Sequence, residues 1–218
     1  MSIKVILFDF DGTLADTLDA IVRITNRLSS EFGYKPASPE DVVRLKQLTS
    51  REVIRQSGVS VFKLPFLLRK VRSELNQEIH LLAPISGIRD VLLDLKAQGN
   101  QLGIVTSNAQ ENVLFFLENN KLQNLFDFVY SEMKLFGKSR VIKHFLKRTN
   151  LSPQSVVYVG DETRDIEAAQ QTGIQVIAVG WGFNSPEILA KHHPDFLIHS
   201  PEELAVVIHQ LKQLKGGG

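Results

Sequence analysis

Two aspartates separated by one residue end the first apolar segment of this 218-residue chain. Asp9 and Asp11 belong to the stretch VILFDFDGTL of residues 5–14. Ionised carboxylates crowded at the end of a buried strand repel each other unless a cation lies between them. A hard divalent cation with oxygen ligands is the natural occupant of such a place. The spacing therefore predicts a metal site at the end of the first strand.

A turn rich in polar side chains follows a second apolar segment, in the stretch GIVTSN of residues 103–108. Thr106, Ser107 and Asn108 stand where the strand would pass into a helix. Hydroxyls and free backbone N–H groups at such a turn can hold phosphoryl oxygens. Simple capping of the following helix by Ser107 or Asn108 explains the same residues, so both interpretations stay open.

Short apolar segments alternate with helical patterns along most of the chain. The predicted strands are 5–8, 102–106, 128–131, 156–159, 176–179 and 196–198. The central segments are continuously apolar, as in parallel strands that are covered on both faces. This alternation predicts an α/β fold with a doubly wound parallel sheet, in which ligands bind beyond the carboxyl ends of the strands. Asp9, Thr106 and Asp161 each follow a strand at such an end.

The stretch from residue 16 to residue 83 breaks the alternation and contains only helix signals. Asp16 or Thr17 can cap its first helix, and Ser38 and Thr49 each stand at a typical helix start. An apolar stripe at helical spacing runs from residue 64 to residue 82. We therefore expect an inserted helical module at residues 16–83, with residues 1–15 and 84–218 forming the α/β core.

The composition excludes several classes of function. Lys and Arg total 25 and Asp and Glu total 24, so no global field favours nucleic acid or an anionic membrane. The chain has no cysteine, which excludes disulfides, thiol catalysis and zinc–thiolate sites. The first apolar segment ends at Asp9 and is too short for a signal peptide. No apolar segment is long enough to cross a bilayer. We expect a cytoplasmic protein without nucleic-acid or membrane partners.

The order of the motifs resembles the haloacid dehalogenase (HAD) superfamily of phosphohydrolases. Its opening motif DxDGT matches residues 9–13, and the longer pattern DGTLxDT continues to Thr17. Its GDxxxD motif matches residues 160–165. The resemblance covers essentially the whole chain. It implies a HAD-like Rossmannoid core with a parallel doubly wound sheet and an inserted all-helical cap domain.

The resemblance assigns the first set of catalytic roles. Asp9 would attack phosphorus and form an aspartyl-phosphate, a covalent step for which carboxylates are known nucleophiles. Asp11 would protonate the leaving oxygen and then accept a proton from the attacking water. Thr106, Ser107 and Asn108 would bind the phosphoryl group.

The resemblance also implies a lysine and a metal ion. Lys138, in the sequence Gly-Lys-Ser, would neutralise the nucleophile and bind the phosphoryl group. Lys134 is the competing candidate for this role. The Mg2+ ligands would be Asp9, Asp11, Asp161 and Asp165. The alternative interpretation of the last motif is a helix start whose acidic residues suit the helix dipole.

The helical module resembles the caps of the phosphoglycolate phosphatase and β-phosphoglucomutase branch. Residues 45–52 resemble the specificity loop of such caps, and Lys46 and Arg51 could meet the carboxylate or hydroxyls of a small phosphorylated acid or sugar. Ordinary surface charge explains these two side chains equally well. The mutases carry a histidine where Ile21 stands here and a glycine where Gln47 stands, so the sequence favours a phosphatase.

The segment GWGFN of residues 180–184 follows the fifth strand. Trp181 would line the site where cap and core meet, or pack beneath the C-terminal helices. The histidines at positions 192, 193, 199 and 209 show no metal-ligand spacing.

The sequence thus favours a Mg2+-dependent phosphomonoester hydrolase that acts on a small phosphorylated metabolite as a monomer or homodimer. Phosphoglycolate is the first candidate substrate by resemblance. An inorganic pyrophosphatase and a phosphosugar mutase are the enzymatic alternatives, and a phospho-ligand sensor is the non-enzymatic one. Asp11 argues against the sensor, and also against a dehalogenase, because dehalogenases lack the second aspartate of the first motif.

Overall fold

The computed structural model describes residues 3–132 and 136–216. The strands are β1 Val5–Phe8, β2 Gln101–Thr106, β3 Phe128–Ser131, β4 Val156–Gly160, β5 Gln175–Val179 and β6 Phe196–Ile198. The helices are α1 Leu18–Phe32, α2 Pro39–Leu45, α3 Ser50–Ser57, α4 Leu64–Glu78, α5 Ile88–Ala97, α6 Gln110–Asn119, α7 Lys138–Thr149, α8 Thr163–Gln170, α9 Pro186–Lys191 and α10 Pro201–Gly216. Within the described ranges, none of the helices combines the length and the apolar content that spanning a membrane requires.

All six strands are parallel and form one sheet in the order β3-β2-β1-β4-β5-β6. The predicted α/β class with a doubly wound parallel sheet is confirmed. Phe8 pairs with Ile104 on one side and with Val159 on the other, so the carboxyl ends of the three central strands lie at the same edge. The order reverses between β1 and β4, which is where ligands bind in open α/β sheets.

The central strand is apolar throughout because helices cover both of its faces. Ile6 and Phe8 belong to a core cluster that includes residues of α5, α6 and α10. Val5 and Leu7 belong to a second cluster with residues of α7, α8 and α9. Burial of one large aliphatic or aromatic side chain contributes about 1.5–3 kcal/mol, so this double packing fixes the strand whose end carries Asp9.

The inserted segment folds into α1–α4 around its own apolar cluster, in which Ile24 and Leu28 of α1 meet Val71 and Leu75 of α4. The predicted helix starts at Ser38 and Thr49 are confirmed as complete capping boxes. Thr17 precedes α1, but its side chain makes no capping hydrogen bond.

The two connections between the helical module and the sheet run side by side. Ala15 forms an antiparallel bridge with Pro84, and the Asp16 N–H donates to the Ala83 carbonyl at 3.0 Å. The Ile85 N–H donates to the Leu14 carbonyl at 2.9 Å. The chain therefore leaves and re-enters the core at one point, although the domain boundaries at residues 15/16 and 83/84 themselves stay a prediction.

Candidate active site

Three buried carboxylates meet at the carboxyl edge of the sheet. Asp9 directly follows β1, Asp161 directly follows β4, and Asp165 lies in the first turn of α8. One oxygen of each lies within 4.8 Å of the others, and the three residues are 1%, 0% and 0% exposed. Adjacent pairing of β1 and β4 is what brings two distant sequence motifs into one cluster.

Lys138, the first residue of α7, reaches into this cluster. Its Nζ lies 2.7 Å from Asp9 Oδ2 and 2.5 Å from Asp165 Oδ1. Burial alone would lower the pKa of Lys138, but the carboxylates of Asp165 and Asp9 outweigh it and raise the pKa. The lysine is therefore a buried cation between two acidic groups. The competing candidate, Lys134, lies outside the described residues.

The cluster holds more acidic groups than one lysine neutralises. Burial raises the pKa of Asp165 to about 7, with Lys138 opposing the shift and Asp9 adding to it. Burial, followed by the charge of Asp9, raises the pKa of Asp161 well above its usual range. Three hard oxygen donors with excess negative charge fit a divalent cation such as Mg2+, which would relieve this repulsion.

The loop after β5 holds Asp161 in place. The Phe183 N–H donates to Asp161 Oδ2 at 2.7 Å, and the Thr13 hydroxyl donates to Asp161 Oδ1 at 2.6 Å. A Cβ on Gly182 would collide with the same carboxylate. Trp181 donates from Nε1 to the Thr13 carbonyl at 3.3 Å and packs against the core, which agrees with both interpretations of this side chain. Sequence reasoning assigned no role to Thr13, Gly182 or Phe183.

Asp11 is not one of the three clustered carboxylates, and its expected role as a metal ligand stays a prediction. Its two carboxylate oxygens accept from Asn108 Nδ2 at 3.1 and 3.0 Å. Burial, followed by the charge of Asp9, raises the pKa of Asp11 to about 7. A carboxyl group with this pKa can both donate and accept a proton near neutral pH, as a general acid and base must.

The turn after β2 lies beside Asp11. The hydroxyl of the buried Thr106 accepts from the Asn108 N–H at 2.9 Å, and Asn108 Oδ1 accepts from the Ala109 N–H at 2.8 Å. The Ser107 hydroxyl lies 3.4 Å from Nη1 of Arg164. The structure thus brings Thr106, Ser107 and Asn108 to the same edge of the sheet as the carboxylates.

Arg164 adds a second cation to the site. Its guanidinium forms an ion pair with Glu162, and the two side chains are 9% and 11% exposed. Burial would lower the pKa of Arg164, but Glu162 outweighs it and raises the pKa. Burial would raise the pKa of Glu162, but Arg164 outweighs it and lowers the pKa. Both groups therefore stay charged beside Asp161 and Asp165.

Arg51 of the predicted specificity loop lies near the site. Its Nη2 lies 3.1 Å from Glu167 Oε2, and its guanidinium stacks 4.8 Å from the centre of the Phe136 ring. Arg51 also lines a small cavity of about 30 Å³ together with Lys138 and Arg164. The position is compatible with substrate contact, yet the observed partners dock the helical module on the core.

Lys46 of the same loop borders another cavity. It lines a larger, mostly apolar cavity of about 270 Å³ between α1–α3 and Phe183. Its backbone carbonyl accepts from the Ser185 N–H at 2.9 Å. Lys46 and Arg51 line different cavities, and their common role in substrate specificity stays a prediction.

Asn184 joins this loop to the core. Its Nδ2 donates to the Leu48 carbonyl at 2.9 Å, and its Oδ1 accepts from the Thr163 N–H at 2.9 Å. Asn184 is buried, so both bonds are shielded from water. This residue was also missed from sequence, since its only signal was its place in the 180–184 segment.

The family of haloacid dehalogenase-like hydrolases matches residues 6–179, and the chain belongs to this family. The match includes both acidic motifs, the turn after β2 and the helical module. The predicted resemblance is confirmed, and the chain is an enzyme of the hydrolase class.

Individual relatives match over nearly the full length. A phosphoglycolate phosphatase of Synechococcus elongatus is 38% identical over 208 residues, covering 95% of this chain and 98% of the relative. A pyrophosphatase PpaX of Bacillus mycoides is 24% identical over 216 residues, covering 97% and 99%. The structure of a haloacid dehalogenase-like hydrolase of Streptococcus pneumoniae superposes with a TM-score of 0.79 at 26% identity, covering 94% and 98%. These similarities support the predicted phosphatase class.

Proposed function

We propose that the protein is a Mg2+-dependent phosphomonoester hydrolase that acts on a small phosphorylated metabolite through an aspartyl-phosphate on Asp9. The observation that carries the proposal is the contact of 2.7 Å between Asp9 Oδ2 and the buried Lys138 Nζ, beside Asp161 and Asp165. A carboxylate held against a fixed cation is a suitable nucleophile toward an anionic phosphoryl group.

In the first step, an Asp9 oxygen attacks phosphorus and the bond from phosphorus to the leaving oxygen breaks. Asp11 gives its proton to that oxygen, in accordance with its raised pKa of about 7. Thr106, Ser107 and Asn108 are proposed to bind the phosphoryl oxygens. Lys138 offsets the negative charge of the phosphoryl group and of Asp9 throughout the step.

In the second step, Asp11 accepts a proton from water, and the resulting hydroxide oxygen attacks the phosphorus of the aspartyl-phosphate. The bond between phosphorus and the Asp9 oxygen breaks, which releases phosphate and restores the carboxylate. The two steps require Asp11 to donate first and accept second, so its pKa must lie near the working pH.

Asp9, Asp161 and Asp165 would hold Mg2+, since their buried oxygens form the hard donor set that this ion prefers. When bound, the ion would screen the repulsion between the carboxylates and an anionic substrate. Asp11 is proposed as a fourth ligand residue, and its carboxylate also accepts from Asn108 Nδ2.

Phosphoglycolate is the substrate that the relatives favour, because the Synechococcus elongatus protein named for this activity is 38% identical. Inorganic pyrophosphate is the second candidate, favoured by the lower identity of 24% to pyrophosphatase PpaX. Lys46 and Arg51 remain the proposed specificity residues of the cap. We further propose that the enzyme works in the cytoplasm as a monomer or homodimer.

Phosphate release with Mg2+ should be measured on phosphoglycolate, pyrophosphate, hexose phosphates and p-nitrophenyl phosphate. Asp9→Asn should lower turnover of every substrate by about 1,000-fold or more, because the nucleophile is lost. Asp90→Asn, an exposed aspartate of α5, is the matched control and should keep full activity. Activity that survives Asp9→Asn would exclude the aspartyl-phosphate, and a wild-type protein without phosphate release would exclude the phosphatase.

A further inference from the structure

A series of hydrogen-bonded amides connects the cap helix α4 to Asp11. Asn76 Nδ2 donates to Asn112 Oδ1 at 2.5 Å, and Asn112 Nδ2 donates to the Arg72 carbonyl at 3.2 Å. Asn112 Nδ2 also donates to Asn108 Oδ1 at 2.9 Å. Asn108 Nδ2 in turn donates to both carboxylate oxygens of Asp11. Four side chains and one backbone carbonyl thus form a continuous path.

The hydrogen-bond polarity along this path is fixed. Asn108 Oδ1 accepts two donors, the Ala109 N–H at 2.8 Å and Asn112 Nδ2 at 2.9 Å. Its NH2 group must therefore face Asp11. Asn108 and Asn112 are 2% and 1% exposed, so water cannot replace a lost partner. A buried donor or acceptor without a partner costs about 1–3 kcal/mol, which disfavours the flipped amide.

We propose that Asn112 is a positioning residue for the general acid Asp11. By donating to Asn108 Oδ1, it keeps the Asn108 NH2 group turned toward the Asp11 carboxyl group. The inference rests on the proposed function, because it assumes that Asp11 delivers the proton to the leaving oxygen. Asn112 itself touches neither Asp11 nor any of the three clustered carboxylates by hydrogen bond among the described contacts.

The same residue makes the position of Asp11 depend on the helical module. Both partners of Asn112 beyond Asn108 belong to α4, the Arg72 carbonyl and the Asn76 amide. Asn76 donates to Asn112 Oδ1, so it also determines which side of the Asn112 amide carries the donor. The hydrogen bonds between α4 and α6 therefore set the hydrogen-bond direction that reaches Asp11.

The test removes the NH2 donor of Asn112 while keeping the shape of the side chain. In Asn112→Asp, an oxygen stands where the NH2 group donates, so Asn108 Oδ1 loses its donor and the Asn108 amide can turn. Phosphate release from ethyl phosphate and from p-nitrophenyl phosphate should be compared. Ethoxide needs a proton to leave and p-nitrophenoxide does not, so loss of acid catalysis affects mainly ethyl phosphate.

We expect kcat for ethyl phosphate to fall about ten-fold or more beyond the fall for p-nitrophenyl phosphate. The KM values for the two substrates should change together. A purely structural defect would lower both activities by the same factor, because it does not distinguish leaving groups. Asn119→Asp, at the exposed end of the same helix, is the control and should leave the ratio of the two activities unchanged.

Asn76→Ala provides a second variant at an exposed position, where folding is not at risk. It should shift the ratio in the same direction by about threefold, the effect of one hydrogen bond. If Asn112→Asp does not fold, Asn76→Ala decides alone. If the wild type is active and the folded variants keep its ratio of activities on the two substrates, the role of Asn112 is wrong, while the proposed function stands. If the wild type does not turn over ethyl phosphate, phosphoglycolate, whose leaving group is also an alkoxide, takes its place. A wild type that releases phosphate from none of the three substrates overturns the proposed function and this inference with it.

Discussion

The Ser50 hydroxyl donates a hydrogen bond of 2.7 Å to Oε2 of Glu162. Ser50 is the first residue of α3 in the helical module, and Glu162 directly follows Asp161 in the core. Glu162 also holds Arg164 through an ion pair. One carboxylate therefore connects docking of the module to a cation beside the candidate metal site.

Ser50→Ala should weaken this docking and raise KM by about threefold, the effect of one lost hydrogen bond. The chemical step should change little, because Arg164 still neutralises Glu162. Steady-state kinetics on the preferred substrate checks this expectation. The control is Ser73→Ala, an exposed serine of α4. A fall in kcat with KM unchanged would show that Ser50 acts on the chemistry instead.

Arg51 allows docking to be separated from substrate recognition. The residue pairs with Glu167 at 3.1 Å, so a docking role requires both partners. Arg51→Ala and Glu167→Gln should then raise KM by a similar factor, about twofold to fivefold, on all substrates, as expected for an exposed ion pair.

A specificity role for Arg51 gives a different pattern in the same measurement. Arg51→Ala would then reduce turnover of phosphoglycolate more than turnover of p-nitrophenyl phosphate, and Glu167→Gln would not. The sequence-based expectation that Lys46 and Arg51 read the substrate depends on the second pattern. Lys46→Ala, tested in parallel, shows whether the side chain beside the apolar cavity contributes to substrate specificity.

If Mg2+ binds as proposed, its removal should lower both activity and stability. A chelator should abolish phosphate release, and added Mg2+ should restore it, because the buried acidic groups repel each other without a cation. Asp161→Asn removes one of them. In the metal-free protein it should raise stability by about 1 kcal/mol, since an isosteric neutral group relieves the repulsion. The same variant should no longer be stabilised by added Mg2+. A metal-free variant that melts at a lower temperature than the metal-free wild type would contradict this account.

Gly12 combines two constraints that can be measured separately. Its φ is +75°, and a Cβ there would collide with Asp161 Oδ2 and the Phe183 ring. Gly33 has a φ of +79° with open space around it. Gly33→Ala should therefore cost about 1 kcal/mol from the backbone alone. Gly12→Ala should cost about 2–4 kcal/mol and abolish activity, because overpacking displaces Asp161. Equal free energies of unfolding for Gly12→Ala and Gly33→Ala would show that the structure relieves the collision at Gly12 without a cost in stability.

The sheet was predictable from sequence because its strands are covered on both faces. Continuous apolar segments such as Val5–Phe8 have few alternative structures, and all six strands lie where they were expected. Asp9 and Asp161 could be assigned to one site for the same reason, since each ends a strand of a parallel sheet. The capping boxes at Ser38 and Thr49 are local patterns and were equally readable.

Contacts between distant segments could not be predicted from the sequence. Asn184 and Ser50 bind across the module and the core through single side chains, and no local pattern distinguishes them from ordinary polar residues. Asn112 lies on an amphipathic helix, where an isolated asparagine is compatible with many positions. The hydrogen bond from Asn108 to Asp11 joins the ends of two different strands, and no local pattern predicts it.

The paired connections at Ala15 and Pro84 have a consequence for the evolution of such an enzyme. The Asp16 N–H and the Ala83 carbonyl are only 3.0 Å apart, so the chain crosses between module and sheet at adjacent points. Segments whose ends lie together are tolerated as insertions and can be exchanged without disturbing the host. We therefore expect the helical module to be exchangeable as a unit, provided that the new module also supplies the donor and the acceptor that Asn112 finds in α4.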